Sequence, residues 1–282
     1  MKESLSYLPL MKQQRKVIMP LAFIFFIVIA ASIYAFCYLK YDPSLTNLEK
    51  RLEGMSMAHP LGTDHLGRDI LTRLLLGAKQ TIGFSALALG VALLVGIPIG
   101  LISGYKRGLI DRLFMRIADS FLAFPDTVVA IVLSGLLGPG IGNLVFAIVM
   151  VKWVNYARLV RSTVLAESRK EYVLIARTNG LSPLRIMKKH LAPHIIGHVL
   201  VMASLDLGKI ILLISSLSYI GLGAQPPVPE WGAMLNDSRP YFQSNPELMI
   251  YPGLAIVGVV LVTNIIGDYL RDQFDVKKEV QK

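Results

Sequence analysis

The chain has 282 residues, is 54% hydrophobic, only 17% charged, and carries a formal net charge of +10. Soluble domains hold about a quarter charged residues, so this is the composition of a membrane protein, and the positive charge, interleaved with apolar runs instead of forming one stripe, does not indicate nucleic acid. The single cysteine, Cys37, excludes a disulfide framework and a thiolate metal site, and no GxxxxGK-S/T loop supplies a phosphate cradle.

Residues 1–16 are polar and basic, with Lys2, Lys12, Arg15 and Lys16 against Glu3. Residues 17–39 are uncharged, and roughly 23 residues suffice for a helix across a core of about 30 Å. A signal peptide has an apolar region of only about 7–15 residues, so a retained first span is predicted. Residues 40–80 are mixed in charge and contain HPLGTDHLGRD, His59 to Asp69. Gly62 and Gly67 mark turns there, and Asp69 can cap the helix that follows. His59 and His65 invite a metal reading, but six apart in a loop they fit a hydrogen-bonded turn better.

Apolar runs at 81–104, 113–137, 142–160, 195–222 and 250–270 bring the predicted spans to six. The domain reading is a first span, an extracytoplasmic segment 40–80, a five-helix core 81–272 and a tail 273–282. The N-terminus, the 105–112 loop and the 158–190 segment are basic, the last with eight Lys/Arg against Glu167 and Glu171. The positive-inside rule therefore places these segments and both termini in the cytoplasm, and the loop 223–250 outside.

Within the cytoplasmic loop 163–194, EYVLIARTNGLSPLRIMKKHLAPH (Glu171 to His194) reads as two short helices around a turn. Asn179-Gly180 stops the first, because both tolerate the left-handed conformation. Ser182 and Pro183 start the second, which runs toward Pro193. Such a helix either lies on lipid or docks into another protein. In the loop 223–250, prolines at 226, 227 and 229 precede Trp231, which suits an outer lid, a docking surface or a plain connector.

Charges inside spans are functional candidates by default. Asp206 and Lys209 stand three apart on one helical face, either as a structural ion pair or as the lining of a polar solute path. Asp126 follows Pro125, where a kink can expose backbone carbonyls. Lys152 and Asp268 are expected to snorkel toward the cytoplasmic side. Gly83, Ala86 and Gly90, and Gly96 with Gly100, give small-residue faces for close helix packing.

With these residues in view, the chain resembles a permease subunit of an ABC importer, and more narrowly the C-type subunits of the peptide/nickel family. His59–Asp69, Glu171–Pro193 and IGLGAQPPVPEWGAMLNDSRPY (Ile220 to Tyr241) carry the likeness. The resemblance implies an all-α membrane protein of the type I importer fold. It also implies that Glu171, Tyr172, Val173, Ala176, Arg177, Gly180 and Pro193 form an ATPase-coupling loop. The Glu-Ala-Ala triplet expected before the glycine reads Leu174-Ile175-Ala176, so the turn and its shape, with no essential acid, are expected to carry coupling. Asp206, Lys209 and Asp126 are candidates for the path. Asp64, His65, Arg68, Asp69 and Trp231 are candidates for an outer gate or docking site. Implied partners are a second permease chain, two ATPase subunits that bind ATP and Mg, and an extracytoplasmic solute-binding protein in a bacterial inner membrane. The chain itself is expected to bind no cofactor and to have no catalytic residue. The solute is expected to be nickel or a metal chelate, with di- or oligopeptides as the alternative.

Two other classes of membrane protein make different demands on the residues. An ion-coupled secondary transporter needs internal repeats with paired broken helices, and none is evident. A membrane enzyme needs GxSxG, HExxH or an aspartate pair, and only Asp126 with Asp206 offers even a remote one.

Overall fold

The computed structural model describes residues 42–279. The first predicted span, 17–39, and the basic N-terminus lie outside the described residues. The chain falls into two compact units, one ending at Lys79 and the other beginning at Gln80. Among the described residues there is no β-strand beyond one isolated bridge, Thr63 to Asp69.

In the first unit, a single 3-10 turn, Leu48–Lys50, follows Asn47, whose Oδ1 accepts the Glu49 N–H at 3.2 Å. Polar staples hold the stretch 51–69. Helix α1 then runs unbroken over Ile70–Lys106. It starts directly after Asp69, where a helix was expected, and runs without a break into the apolar run predicted from 81. As expected, Asp69 caps the helix, accepting the Thr72 N–H at 2.7 Å, and Arg73 reaches back to the Pro43 carbonyl at 3.0 Å.

The predicted third span, 113–137, is corrected by the structure. It is two helices, α2 (Gly108–Leu122) and α3 (Asp126–Leu137), bent by 89° at the break between them. Pro125 is the cause: it lacks an N–H, and it pushes Phe124 out of the helical region. Helix α4 (Ile141–Glu167) follows the positive-φ residues Gly138 and Gly140. Helix α5 is Glu171–Thr178 and α6 is Pro183–Ile186. A π-helical turn, Met187–Leu191, joins α6 to α7 (Ala192–Tyr219). The second short helix therefore does not end near Pro193 but continues into the next span. The ring of Pro193 would clash with the carbonyl of Lys189 in a regular helix, and the wider π turn gives it room. Helices α8 (Trp231–Ser238) and α9 (Glu247–Glu279) complete the chain.

By length and composition, Ile70–Lys106, Ile141–Glu167, Pro183–Tyr219 and Glu247–Asp272 can cross a membrane, and the bent pair α2–α3 can make a fifth crossing. In the second unit, the core joins Ala88 and Ala92 of α1, Ala130 of α3, Leu144, Ile148 and Tyr156 of α4, and Ile210 and Ile214 of α7, all buried. Gly96, Gly100 and Gly104 form the close contact of α1 with α4. A Cβ on Gly100 would lie 2.5 Å from the Ala157 carbonyl oxygen and one on Gly104 would lie 2.8 Å from the Val164 Cβ. That is the small-residue packing by which spans approach without a hydrophobic drive. Gly83 and Gly90, by contrast, have nothing within 4 Å of an added Cβ.

Candidate functional site

The segment Glu171–His194 is built on an apolar foot. Val173 and Ala176 of α5, Ile186 of α6 and Leu191 are buried against Val160 and Val164 of α4 and Ile195 and Val199 of α7. Truncating any one of the larger members costs about 2–5 kcal/mol in a packed core, so the segment is seated firmly and not merely tethered. Its turn is a complete Schellman closure. Gly180 has φ +75; its N–H bonds the Arg177 carbonyl at 3.0 Å, and the Leu181 N–H bonds the Ala176 carbonyl at 3.2 Å. Pro183 begins α6 in the first helical turn, after Ser182, whose side chain makes no capping bond; the Ser182 carbonyl does, accepting the Arg185 N–H at 3.0 Å.

Polar contacts fix α5 from the side. Tyr172 donates its hydroxyl to Glu167 Oε2 at 2.7 Å, and Lys170 Nζ reaches Glu167 Oε1 at 2.8 Å. Burial first, and then the bond to Glu167, hold the Tyr172 phenol above its ordinary range, so it stays a donor at any physiological pH. Its ring lies 6.2 Å from His190 and 5.8 Å from His194, and Arg177 stacks over Tyr105 at 4.8 Å. Outward, the large apolar side chains Leu174, Ile175 and Leu184 are 47%, 58% and 59% exposed, among exposed charges that include Arg177, Arg185, Lys188 and Lys189. Leu174 and Ile175 occupy the positions where the Glu-Ala of relatives was expected. Glu171 is exposed, and Pro193 sits in the first turn of α7.

Two of the charge pairs within the second unit's spans are Asp126–Lys152 and Asp206–Lys209. Lys152 Nζ binds Asp126 Oδ2 at 2.9 Å, with the lysine side chain 8% exposed. Lys152 therefore does not snorkel; it neutralises Asp126 at the break before α3, since no buried ammonium is stable without a counter-charge. Asp206 is buried and accepts the Tyr156 hydroxyl at 3.0 Å, while its contact with Lys209 is 3.4 Å. Lys209 itself is 68% exposed on its side chain, far into α7. The sequence reading missed Lys152 and Tyr156 as partners. The signal for Lys152 was its place near the middle of an apolar run, too far from either end to reach headgroups.

The candidates for an outer gate are mostly interior. In the first unit, Arg68 Nε binds Asp64 Oδ2 at 2.6 Å, Asp64 Oδ1 accepts the Leu66 and Arg68 N–H groups, and His59 Nδ1 lies 2.9 Å from Asp69 Oδ1. Asp64, Arg68 and Asp69 are 7% exposed or less, and His65 is half-buried. The two histidines belong to this ordered turn, and among the described residues no three potential ligands stand together for a metal ion. In the second unit, Trp231 is also buried, at 3% exposure. Beside it, Glu230, which the sequence reading passed over, is fully buried and caps α8. It accepts the Gly232 and Ala233 N–H groups at 3.0 and 2.9 Å and the Thr81 hydroxyl of α1 at 3.0 Å. A carboxylate before a short helix after a proline run was the available signal.

Among the described residues, a helical bundle with long apolar helices, one broken pair and a closed paired-helix turn fits an integral-membrane subunit. Residues 96–279 match the family described as binding-protein-dependent transport system inner membrane component. The chain is 40% identical over 238 residues to the nickel transport system permease protein NikC of Escherichia coli (strain K12), covering 84% of this chain and 86% of that protein. It is 43% identical over 232 residues to the dipeptide transport system permease protein DppC of Alkalihalophilus pseudofirmus, covering 82% and 76%. To the glutathione transport system permease protein GsiD of Pectobacterium atrosepticum it is 38% identical over 252 residues, covering 89% and 84%. Among solved structures, an inward-facing form of the MetNI methionine ABC transporter superposes with a TM-score of 0.57 at 17% identity, covering 71% of this chain and 95% of that one. The chain belongs to the binding-protein-dependent transport family and is an ABC importer permease subunit of the peptide/nickel type, with the type I importer fold. It is a multi-pass inner-membrane protein and not an enzyme; in this family ATP is hydrolysed on separate subunits.

Proposed function

We propose that Glu171–Pro193 is the docking element for a partner ATPase, and that this chain, with a second permease chain, forms the path for nickel or a metal chelate. The observation that carries the docking role is the pairing of a buried foot with an outer face that exposes three large apolar side chains among basic ones. Leu174, Ile175 and Leu184 would be costly to leave in water and are positioned by a closed turn. Rigid continuity from α6 through the π turn into α7 lets a push on the segment move a whole span, and α7 carries Asp206 and Lys209. ATP and Mg held between two ATPase subunits would then bias the inward- and outward-open populations. An exposed ammonium midway along a span is stable only beside water or another protein, which supports a path or subunit interface at Lys209, with Asp126 further along it.

On this reading the Glu171–Pro193 end, and both termini, face the cytoplasm, as the basic loops indicate. The 42–69 segment, stiffened by Asp64, Arg68 and Asp69, and the α8 region around Trp231 face the solute-binding protein. Nickel or a chelate is the first reading, in line with the 40% identity to NikC, and a dipeptide the second, in line with the 43% identity to DppC. Uptake of labelled nickel against a labelled dipeptide, in a strain lacking this chain and again after it is restored, decides between them. Cysteines at positions 174 and 184 should cross-link to the ATPase subunit; efficient cross-linking to lipid alone would overturn the docking role.

A further inference from the structure

Helix α2 serves neither the coupling segment nor the span charges. Its inner edge, Ala118 with Phe121 and Leu122, packs on Trp153 and Ala157 of α4. Asp111 is buried and Phe114 and Met115 are half-buried, while the outer side is exposed and carries two strips at helical spacing. Leu109, Leu113 and Ile117 form one, at 76%, 61% and 40% exposure. Arg112 and Arg116, both exposed, form the other and make no ion pair among the described residues.

At 89° to one another, α2 and α3 cannot both follow the bilayer normal. Helix α3 has no charge beyond Asp126, whereas α2 carries charges at 111, 112, 116 and 119, so α3 takes the normal and α2 the membrane plane. Its depth is set by α4. Asp111 accepts from Arg161 at 2.7 Å, and Asp119 pairs with Arg158. These arginines are the first charges on α4 after Lys152. From Ile141 to that point the helix rises roughly 25 Å, close to the thickness of the hydrocarbon core. A cleft of about 480 Å³ opens between the two helices there, lined by Met115, Asp119, Arg158, Leu159, Arg161 and Ser162. The strips are thus an apolar edge facing acyl chains and a basic edge at headgroup height.

We propose that α2 lies in the membrane–water interface and that Arg112 and Arg116, beside the α2–α4 cleft, bind the headgroups of anionic phospholipid. The occupant follows from charge complementarity: the nearest acids, Asp111 and Asp119, are already engaged by α4, which leaves the outer edge with uncompensated positive charge. This site is independent of the coupling role and of the solute.

Native mass spectrometry of the assembled transporter, purified from vesicles of phosphatidylcholine with phosphatidylglycerol, tests it. The wild type should retain phosphatidylglycerol over phosphatidylcholine, and the Arg112→Gln/Arg116→Gln protein should lose about fivefold of that preference per charge, or about thirtyfold in all. Arg112→Lys/Arg116→Lys should keep it, because charge alone is needed. Equal phosphatidylglycerol retention by wild type and the glutamine protein overturns the proposal. Loss of the second permease chain from the glutamine protein, with lipid retention intact, would assign the face to that subunit instead. Displacement of the lipid by soluble glycerol phosphate would reduce the site to a free-anion site and also overturn it.

Discussion

Replacing Gly180 by valine isolates the turn of the coupling segment from its packing. An added Cβ would meet nothing within 4 Å, so no steric clash contributes. The cost is in the backbone: at φ +75 an ordinary L-residue loses about 1–2 kcal/mol, and a β-branched one somewhat more. Since 1.4 kcal/mol is tenfold, the closed turn loses about five- to thirtyfold in its population relative to open forms. Opening it breaks the bonds of the Gly180 and Leu181 N–H groups to Arg177 and Ala176, while the buried foot around Val173 and Ile186 survives. Assembly should therefore persist while uptake per ATP hydrolysed falls severalfold. Asparagine tolerates the left-handed region, so Gly180→Asn should behave nearly as wild type. The assay is paired measurement of ATP hydrolysis and solute uptake in proteoliposomes holding all subunits. A valine protein with the coupling ratio of the asparagine protein would refute the role given to the turn.

Further perturbations probe the bundle. Asp126→Asn leaves the Lys152 ammonium buried without a counter-charge, a change that costs about 3–5 kcal/mol when a buried pair is broken; the amount of folded chain in membranes should drop and recover in Asp126→Asn/Lys152→Met. Asp206→Ala should reduce uptake more than it reduces assembly of the complex, and a parallel loss of both would assign Asp206 to structure through its bond with Tyr156. Glu230→Ala removes the cap of α8 and the acceptor for Thr81, so thermal unfolding of the purified complex should occur earlier by an amount equivalent to about 1–2 kcal/mol. Gly100→Leu forces a side chain onto the Ala157 carbonyl, and no folded chain should accumulate.

Much of the architecture was legible because the bilayer imposes a length on apolar runs. Four long helices and the short α5 were predicted near their observed places, and Asn179-Gly180 with Pro183 located the turn through conformational chemistry alone. Asp69 marked the start of helix α1, which precedes the apolar run because its first turns hold Arg73, bonded to the Pro43 carbonyl. The 89° break at Pro125 was anticipated only as a kink, because hydropathy counts residues and not directions. Pro193 read as a helix end, whereas the π turn before it absorbed the misfit. The pairings Asp126–Lys152 and Tyr156–Asp206 join distant positions, so they appear only when helices are packed. The burial of Trp231 beside Glu230 likewise depends on α1 supplying Thr81.

Uptake by the purified assembly tests the central claim most directly. Proteoliposomes should accumulate labelled nickel, or a labelled dipeptide on the second reading, only when this chain, a second permease chain, the ATPase subunits, ATP and the solute-binding protein are all present. Uptake by this chain alone, abolished by a protonophore and indifferent to ATP, would contradict the account.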